Sequence, residues 1–298
     1  MLMEIIFLGT SCMVPTVERN HQSVLLSYLG EGILIDCGEG TQRQLKIAKQ
    51  KPTKIKKILI SHWHGDHVLG IPGLLQTMNA SNYEGSLEIF GPPRTKKFIR
   101  KVLNTFVFDN NIEIKVIDIK KKTFYDGEHY SLEAVPLKHR IPCLGFAFVE
   151  KDRRKIKLSY TKKLGIPEGP LLGKLQNNQT IKWKGKIVSP KDATYIVKGK
   201  RIAFVSDTVY CNGANVLAKD SDLLICEAAY TSDLVEKAKE YMHLTASEAA
   251  QIASQNNVKE LILTHFSQRY KTSKAICEDA KTIFDNVSCA YDFMKKKM

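Results

Sequence analysis

The 298-residue sequence lacks any apolar run long enough to cross a bilayer, so no membrane partner is expected. Its first residues, MLMEIIFLGTS, have neither a basic n-region nor a long apolar h-region, and they read as a first strand rather than a signal peptide. Seven cysteines occur without one C-x-x-C pair. A reducing, cytoplasmic setting is the simplest account of that pattern. Internal repeats and low-complexity linkers are also absent. Length alone allows two domains or one large α/β unit, and 43% hydrophobic residues suffice for a sizeable core.

Acids are scarce too. Forty-five lysines and arginines stand against thirty-one acids, a net charge of +14, which suits a polyanionic partner. The excess is concentrated: residues 151–200 hold fourteen basic residues and three acids. A well-solvated surface would explain the same count.

The pattern along the chain is β-rich at first and then alternating. Glu4–Leu8, Ser23–Tyr28 and Ile33–Asp36 read as strands, with Gly30-Glu31-Gly32 as a turn. Thr41 is a candidate cap for a helix to about Gln50. Lys57–Ile60 reads as a strand, Leu69–Ala80 and Arg94–Phe106 as helices, and 112–118 and 130–137 as strands. Later come strands at Arg201–Val205, Leu223–Cys226 and Leu261–Thr264. Thr245–Gln255 begins with a capping box, Thr245 to Glu248, and Ser273–Phe284 reads as a further helix.

Three of the eight histidines fall in one short stretch, SHWHGDH. Neutral imidazoles suit zinc, and a carboxylate can complete a first-row site. His62, His64, Asp66 and His67 crowd too closely for one ion, whereas two neighbouring ions can share them. Further ligands are expected at the ends of apolar runs: His139 after Val135-Pro136-Leu137, Asp207 after Ile202–Val205, and His265 after Leu261–Thr264. α/β proteins place their chemistry at such strand ends. His21 and His129 lie in polar stretches and are expected at the surface. His243 opens a helix.

SHWHGDH resembles the H-x-H-x-D-H signature of the metallo-β-lactamase superfamily. LGTSCMVPTVERN (8–20), LIDCGEGTQRQL (34–45), GIPEGPLLGKL (165–175) and LTHFSQRY (263–270) resemble the short form of tRNase Z, over nearly the whole chain. The resemblance implies an α/β fold, a single domain over 1–298 built as an αββα sandwich of two mixed sheets with helices outside. It implies two Zn²⁺ per subunit, with Mn²⁺ or Fe²⁺ as possible substitutes. His62, His64 and His139 would hold one ion, Asp66, His67 and His265 the other, and Asp207 would bridge them. Asp66 would also be catalytic, and His243, oriented by Glu227, would protonate the leaving oxygen. The implied activity is removal of the 3′ trailer from precursor tRNA by a homodimer.

Residues from about 151 to 185 would then be an inserted basic exosite arm, a flexible protrusion gripping the tRNA. Pro167, Gly169, Pro170 and Gly173 would set a rigid turn at its tip, with Lys174 on phosphate. Arg19, Asn20 and Arg269 are further candidates for RNA contact. Ser206, Cys226 and Ala229 depart from the family pattern, which puts the fine orientation of the Glu227–His243 pair in question. The alternative is another dizinc hydrolase of the same fold, acting on a phosphodiester or small ester. It leaves the basic segment and GIPEGPLLGKL without a role. A non-catalytic RNA-binding module with structural zinc fits poorly, since structural sites are usually closed and often use cysteine.

Overall fold

The computed structural model describes residues 3–107 and 111–298. Two seven-stranded sheets face each other. The first runs, in spatial order, Lys295–Lys297, Met3–Gly9, Ser23–Tyr28, Glu31–Ile35, Ile55–Leu59, Ser86–Gly91 and Glu113–Asp118. The second runs Val287–Cys289, Leu261–Thr264, Leu223–Glu227, Arg201–Val205, Cys143–Glu150, Tyr130–Leu137 and Thr123–Asp126. Each sheet is mixed, with three antiparallel and three parallel pairings.

Strand alternation builds the layers. In Met3–Gly9, Ile5 and Phe7 point into the core between the sheets, while Ile6 and Leu8 point to the helices outside. Leu59 points inward and Ile58 and Ile60 outward. The inner core is closed by Phe146, Phe148, Phe204, Leu132 and Ile225. Helices Thr41–Ile47, Ile71–Ala80 and Thr95–Thr105 cover the first sheet, and Asn212–Ala218, Ala246–Gln255 and Lys274–Lys281 cover the second. The result is the αββα sandwich.

Several boundaries differ from the sequence reading. The turn between the second and third strands is Leu29-Gly30, so Glu31 and Gly32 are already paired. Gly40, in the left-handed region, caps the helix that follows; Thr41 lies inside it, its hydroxyl donating to the Gly38 carbonyl. The long helix begins at Ile71, after a short separate helix Gly65–Val68. Thr245 forms its capping box with Glu248 as read.

The basic segment is a small folded unit with strands, helices and a core of its own. It is inserted between the paired strands Cys143–Glu150 and Arg201–Val205. Arg153–Ile156 pairs with Thr194–Val197, and Ile181–Trp183 with Lys186–Val188. Ile166, Leu175, Ile181, Val188 and Ala193 form its own core, and the Trp183 indole donates to the Leu164 carbonyl at 3.1 Å. This unit continues past residue 185, to the end of Thr194–Val197. The expected turn is also different: Gly169 precedes helix Pro170–Gln176, and Gly173 is helical.

Phe146 is 1% exposed, at the centre of the inter-sheet core. Phe146→Ala should cost about 3–5 kcal/mol in denaturant unfolding, with the native far-ultraviolet spectrum retained at low denaturant.

Candidate active site and metal centre

The strand ends on one rim of the sandwich bring the cluster together. His62 and His64 follow Ile55–Leu59, and the short helix Gly65–Val68 carries Asp66 and His67. His139 follows Tyr130–Leu137, Asp207 follows Arg201–Val205, and His265 follows Leu261–Thr264 with φ of 61°. The sharp approach of two loops holds this rim. Cys37 N–H donates to the His67 carbonyl at 2.8 Å, and Gly70 N–H to that of Cys37 at 2.9 Å. A Cβ on Gly70 would run into the Gly38 carbonyl oxygen, so only glycine permits the contact.

The donor atoms form two groups. His62 Nε2 lies 3.0 Å from His64 Nδ1, which lies 3.2 Å from His139 Nε2. Asp207 Oδ2 faces this group, 3.6 Å from His62 and 3.9 Å from His139. In the second group, His67 Nε2 is 3.2 Å from His265 Nε2, and Asp66 Oδ2 is 3.4 Å and 3.5 Å from the two. Asp207 Oδ1 faces it, 3.5 Å from His67 Nε2. One carboxylate therefore turns an oxygen to each group.

Burial pushes His62 well below its usual range and His139 down to about 4, which leaves both rings neutral. For His67 burial acts the same way, but Asp207, Asp66 and Asp36 outweigh it and push it well above its usual range. The carboxylates favour positive charge there, which ring protons or cations can supply. Imidazole nitrogens converging at 3.0–3.2 Å, with carboxylate oxygens beside them, fit divalent cations by donor chemistry.

The other predicted residues fall in three places. His243 Nδ1 lies 3.1 Å from both oxygens of Glu227. Glu227 also accepts from the Thr208 N–H at 2.7 Å, so the proton of the pair belongs on His243. The pair forms without help at 226 or 229: Cys226 faces the helix-side core and Ala229 packs beside Cys12 and Tyr230. Ser206 hydrogen-bonds to Ser61 Oγ at 3.1 Å and to Asp207 Oδ1. Arg269 is exposed and lines the cleft over the centre, a cavity of about 630 Å³.

Arg19 is turned inward instead. It is 7% exposed and donates to the carbonyls of Ser267 and Tyr270, bracing two loops. The Asn20 side chain donates to the Glu39 carbonyl. His21 is also buried, its Nε2 3.0 Å from the Met13 carbonyl, whereas His129 is exposed as expected. Gly169, Pro170 and Lys174 are exposed on the inserted unit.

Two supporting groups escaped the sequence reading. Asp36 accepts from His67 Nδ1 at 2.8 Å, from the Ser61 N–H at 2.7 Å and from the Ser61 hydroxyl at 2.8 Å. It ends the apolar run Ile33-Leu34-Ile35, the same signal that singled out Asp207. The Met13 N–H donates to Asp66 Oδ2 at 2.9 Å; a backbone donor leaves no trace in sequence.

Two facing mixed sheets with a His/Asp cluster on one rim make this a metallo-β-lactamase-fold protein. The metallo-β-lactamase fold protein YhfI from Bacillus subtilis superposes with a TM-score of 0.73 over 100% of this chain and 99% of its own, at 16% identity, a likeness of fold alone. A family model described as anti-Pycsar protein Apyc1 matches residues 3–161, which include the H-x-H-x-D-H stretch and His139 and stop before Asp207. The ribonuclease Z of Methanosarcina acetivorans is 37% identical over 99% of this chain and 97% of its own length, and that of Thermococcus onnurineus 41% identical over 90% and 86%. The crystal structure of human tRNase Z, short form, matches with a TM-score of 0.72 and 30% identity, covering 98% of both chains. The chain belongs to the ribonuclease Z family.

Asp36→Asn keeps the shape but replaces a carboxylate acceptor behind His67. It should weaken retention of a divalent cation by about 10–100-fold, read by competition with a chromogenic chelator.

Proposed function

We propose that this chain removes the 3′ trailer from precursor tRNA, as a zinc-dependent endoribonuclease that leaves a 3′-hydroxyl on the tRNA and a 5′-phosphate on the trailer. The observation that carries the proposal is the split orientation of Asp207, one oxygen toward each histidine group, at the floor of an open cleft. Membership of the ribonuclease Z family supports an endoribonuclease.

His62, His64 and His139 would hold one Zn²⁺, Asp66, His67 and His265 the second, and Asp207 would bridge them. When bound, such a pair supplies an activated water at neutral pH and offsets charge on the phosphoryl oxygens. Asp66, steadied by the Met13 N–H, orients the attacking water. His243 has Nδ1 engaged by Glu227, which leaves Nε2 as the atom to give a proton to the leaving 3′-oxygen. Arg140, Lys237 and Arg269 line the same cleft and suit a polyanion.

The inserted unit serves as the RNA-gripping exosite. Its support is charge: fourteen basic residues against three acids between 151 and 200. Such a surface gains affinity by releasing counterions and selects folded RNA by shape, not base sequence. A homodimer would let one subunit's insert hold the tRNA cut by the other; its mass in solution should be twice 33.7 kDa. A cytoplasmic address agrees with seven free cysteines, and among the described residues no helix is long and apolar enough to cross a membrane.

Incubation with a precursor tRNA bearing a 3′ trailer should give a single cut at the tRNA 3′ end. Cleavage only of small phosphodiesters or esters would favour the other hydrolases of this fold. Asp66→Ala should lower cleavage by at least about a thousandfold while tRNA binding largely persists in filter assays. Replacing 152–199 by an Asn-Gly turn should weaken tRNA binding by about tenfold or more and spare hydrolysis of bis(p-nitrophenyl) phosphate. Unchanged tRNA affinity would rule out the exosite.

A further inference from the structure

Beside His139 and His243, the wall of the cleft is built from Tyr241, Arg140 and Lys237. Tyr241 is the last residue of helix Val235–Tyr241 and is 42% exposed. The Arg140 guanidinium lies 5.7 Å from its ring centroid, and Lys237 Nζ 5.9 Å. Arg140 is held there, because it donates to the Glu240 carbonyl at 2.7 Å. Met242 then turns the chain with φ of 60°, and His243 enters the buried centre two residues after the ring.

One exposed tyrosine is ordinary on a protein surface. This one differs in its company and its place. A half-exposed aromatic face next to two cations has the chemistry of a single-stranded nucleic-acid seat, with base on ring and phosphate on cation. Tyr230, on the same cleft, offers no such seat. It is 7% exposed, and the Arg269 guanidinium lies 5.4 Å from its ring centroid.

Polarity of cleavage decides which nucleotide the seat would take. The leaving 3′-oxygen belongs to the last nucleotide kept on the tRNA, and that oxygen faces His243. The wall next to His243 therefore meets that nucleotide. We propose that Tyr241, flanked by Arg140 and Lys237, stacks the base of the last retained nucleotide and so positions the bond to be cut. The inference rests on the tRNA-processing function proposed above.

The test uses the full-length protein and a tRNA that ends at the cut site in 2-aminopurine, whose fluorescence falls on stacking. Wild type and Tyr241→Phe should quench the probe. Tyr241→Ala should lose the quenching, bind this tRNA about tenfold more weakly and raise KM for precursor cleavage more than it lowers kcat. Equal quenching by Tyr241→Ala and wild type, with precursor still cut, would sink the seat alone. A wild-type protein that fails to cut precursor tRNA would sink the function, and the seat with it.

Discussion

A buried carboxylate that turns one oxygen to each of two imidazole groups needs positive charge on both sides, and Asp207 is 3% exposed in such a position. Everything around it serves that arrangement. Each donor group takes two residues from the segment after Ile55–Leu59 of the first sheet and one histidine from a strand end of the second. Asp207 also comes from the second, so the centre exists only because the sheets face each other. The inter-sheet core of Phe7, Leu26, Phe146 and Phe204 fixes their separation. Packing at the middle of the sandwich thereby sets donor distances at its rim.

A second layer of polar contacts aims the donors. Asp36 and Ser61 hold His67, the Met13 N–H holds Asp66, and the Met242 carbonyl lies 3.0 Å from His139 Nδ1. Glu227 is anchored by the Thr208 N–H before it reaches His243. Each partner fixes the orientation of its ring and which nitrogen it turns to the centre. His243 and His67 are oriented alike, each with a buried carboxylate on Nδ1: Glu227 for the one and Asp36 for the other.

Much of this was legible in the residues. Apolar runs ending in His or Asp marked the rim, because strands buried in the sandwich need apolar sequence and their ends face the site. The same rule would have reached Asp36. What escaped depended on tertiary contact. Lys295–Lys297 is a strand only because Met3–Gly9 offers it an edge, and three lysines carry no strand signal of their own. Arg19 reads as a surface cation, yet two carbonyls from loop 267–270 draw it inward. The small core of the basic insert was hidden because its apolar residues, Ile166, Leu175, Ile181, Val188 and Ala193, are spread thinly among charges.

That insert leaves the second sheet from one strand and returns on its immediate antiparallel neighbour, where the Glu150 N–H donates to the Lys200 carbonyl at 2.8 Å. It is therefore an elaborated hairpin loop whose two stems are already pinned together. Such a loop can lengthen, shrink or be swapped without disturbing strand register. Evolution can thus rebuild this self-contained attachment while the strand ends that carry the His/Asp rim stay untouched.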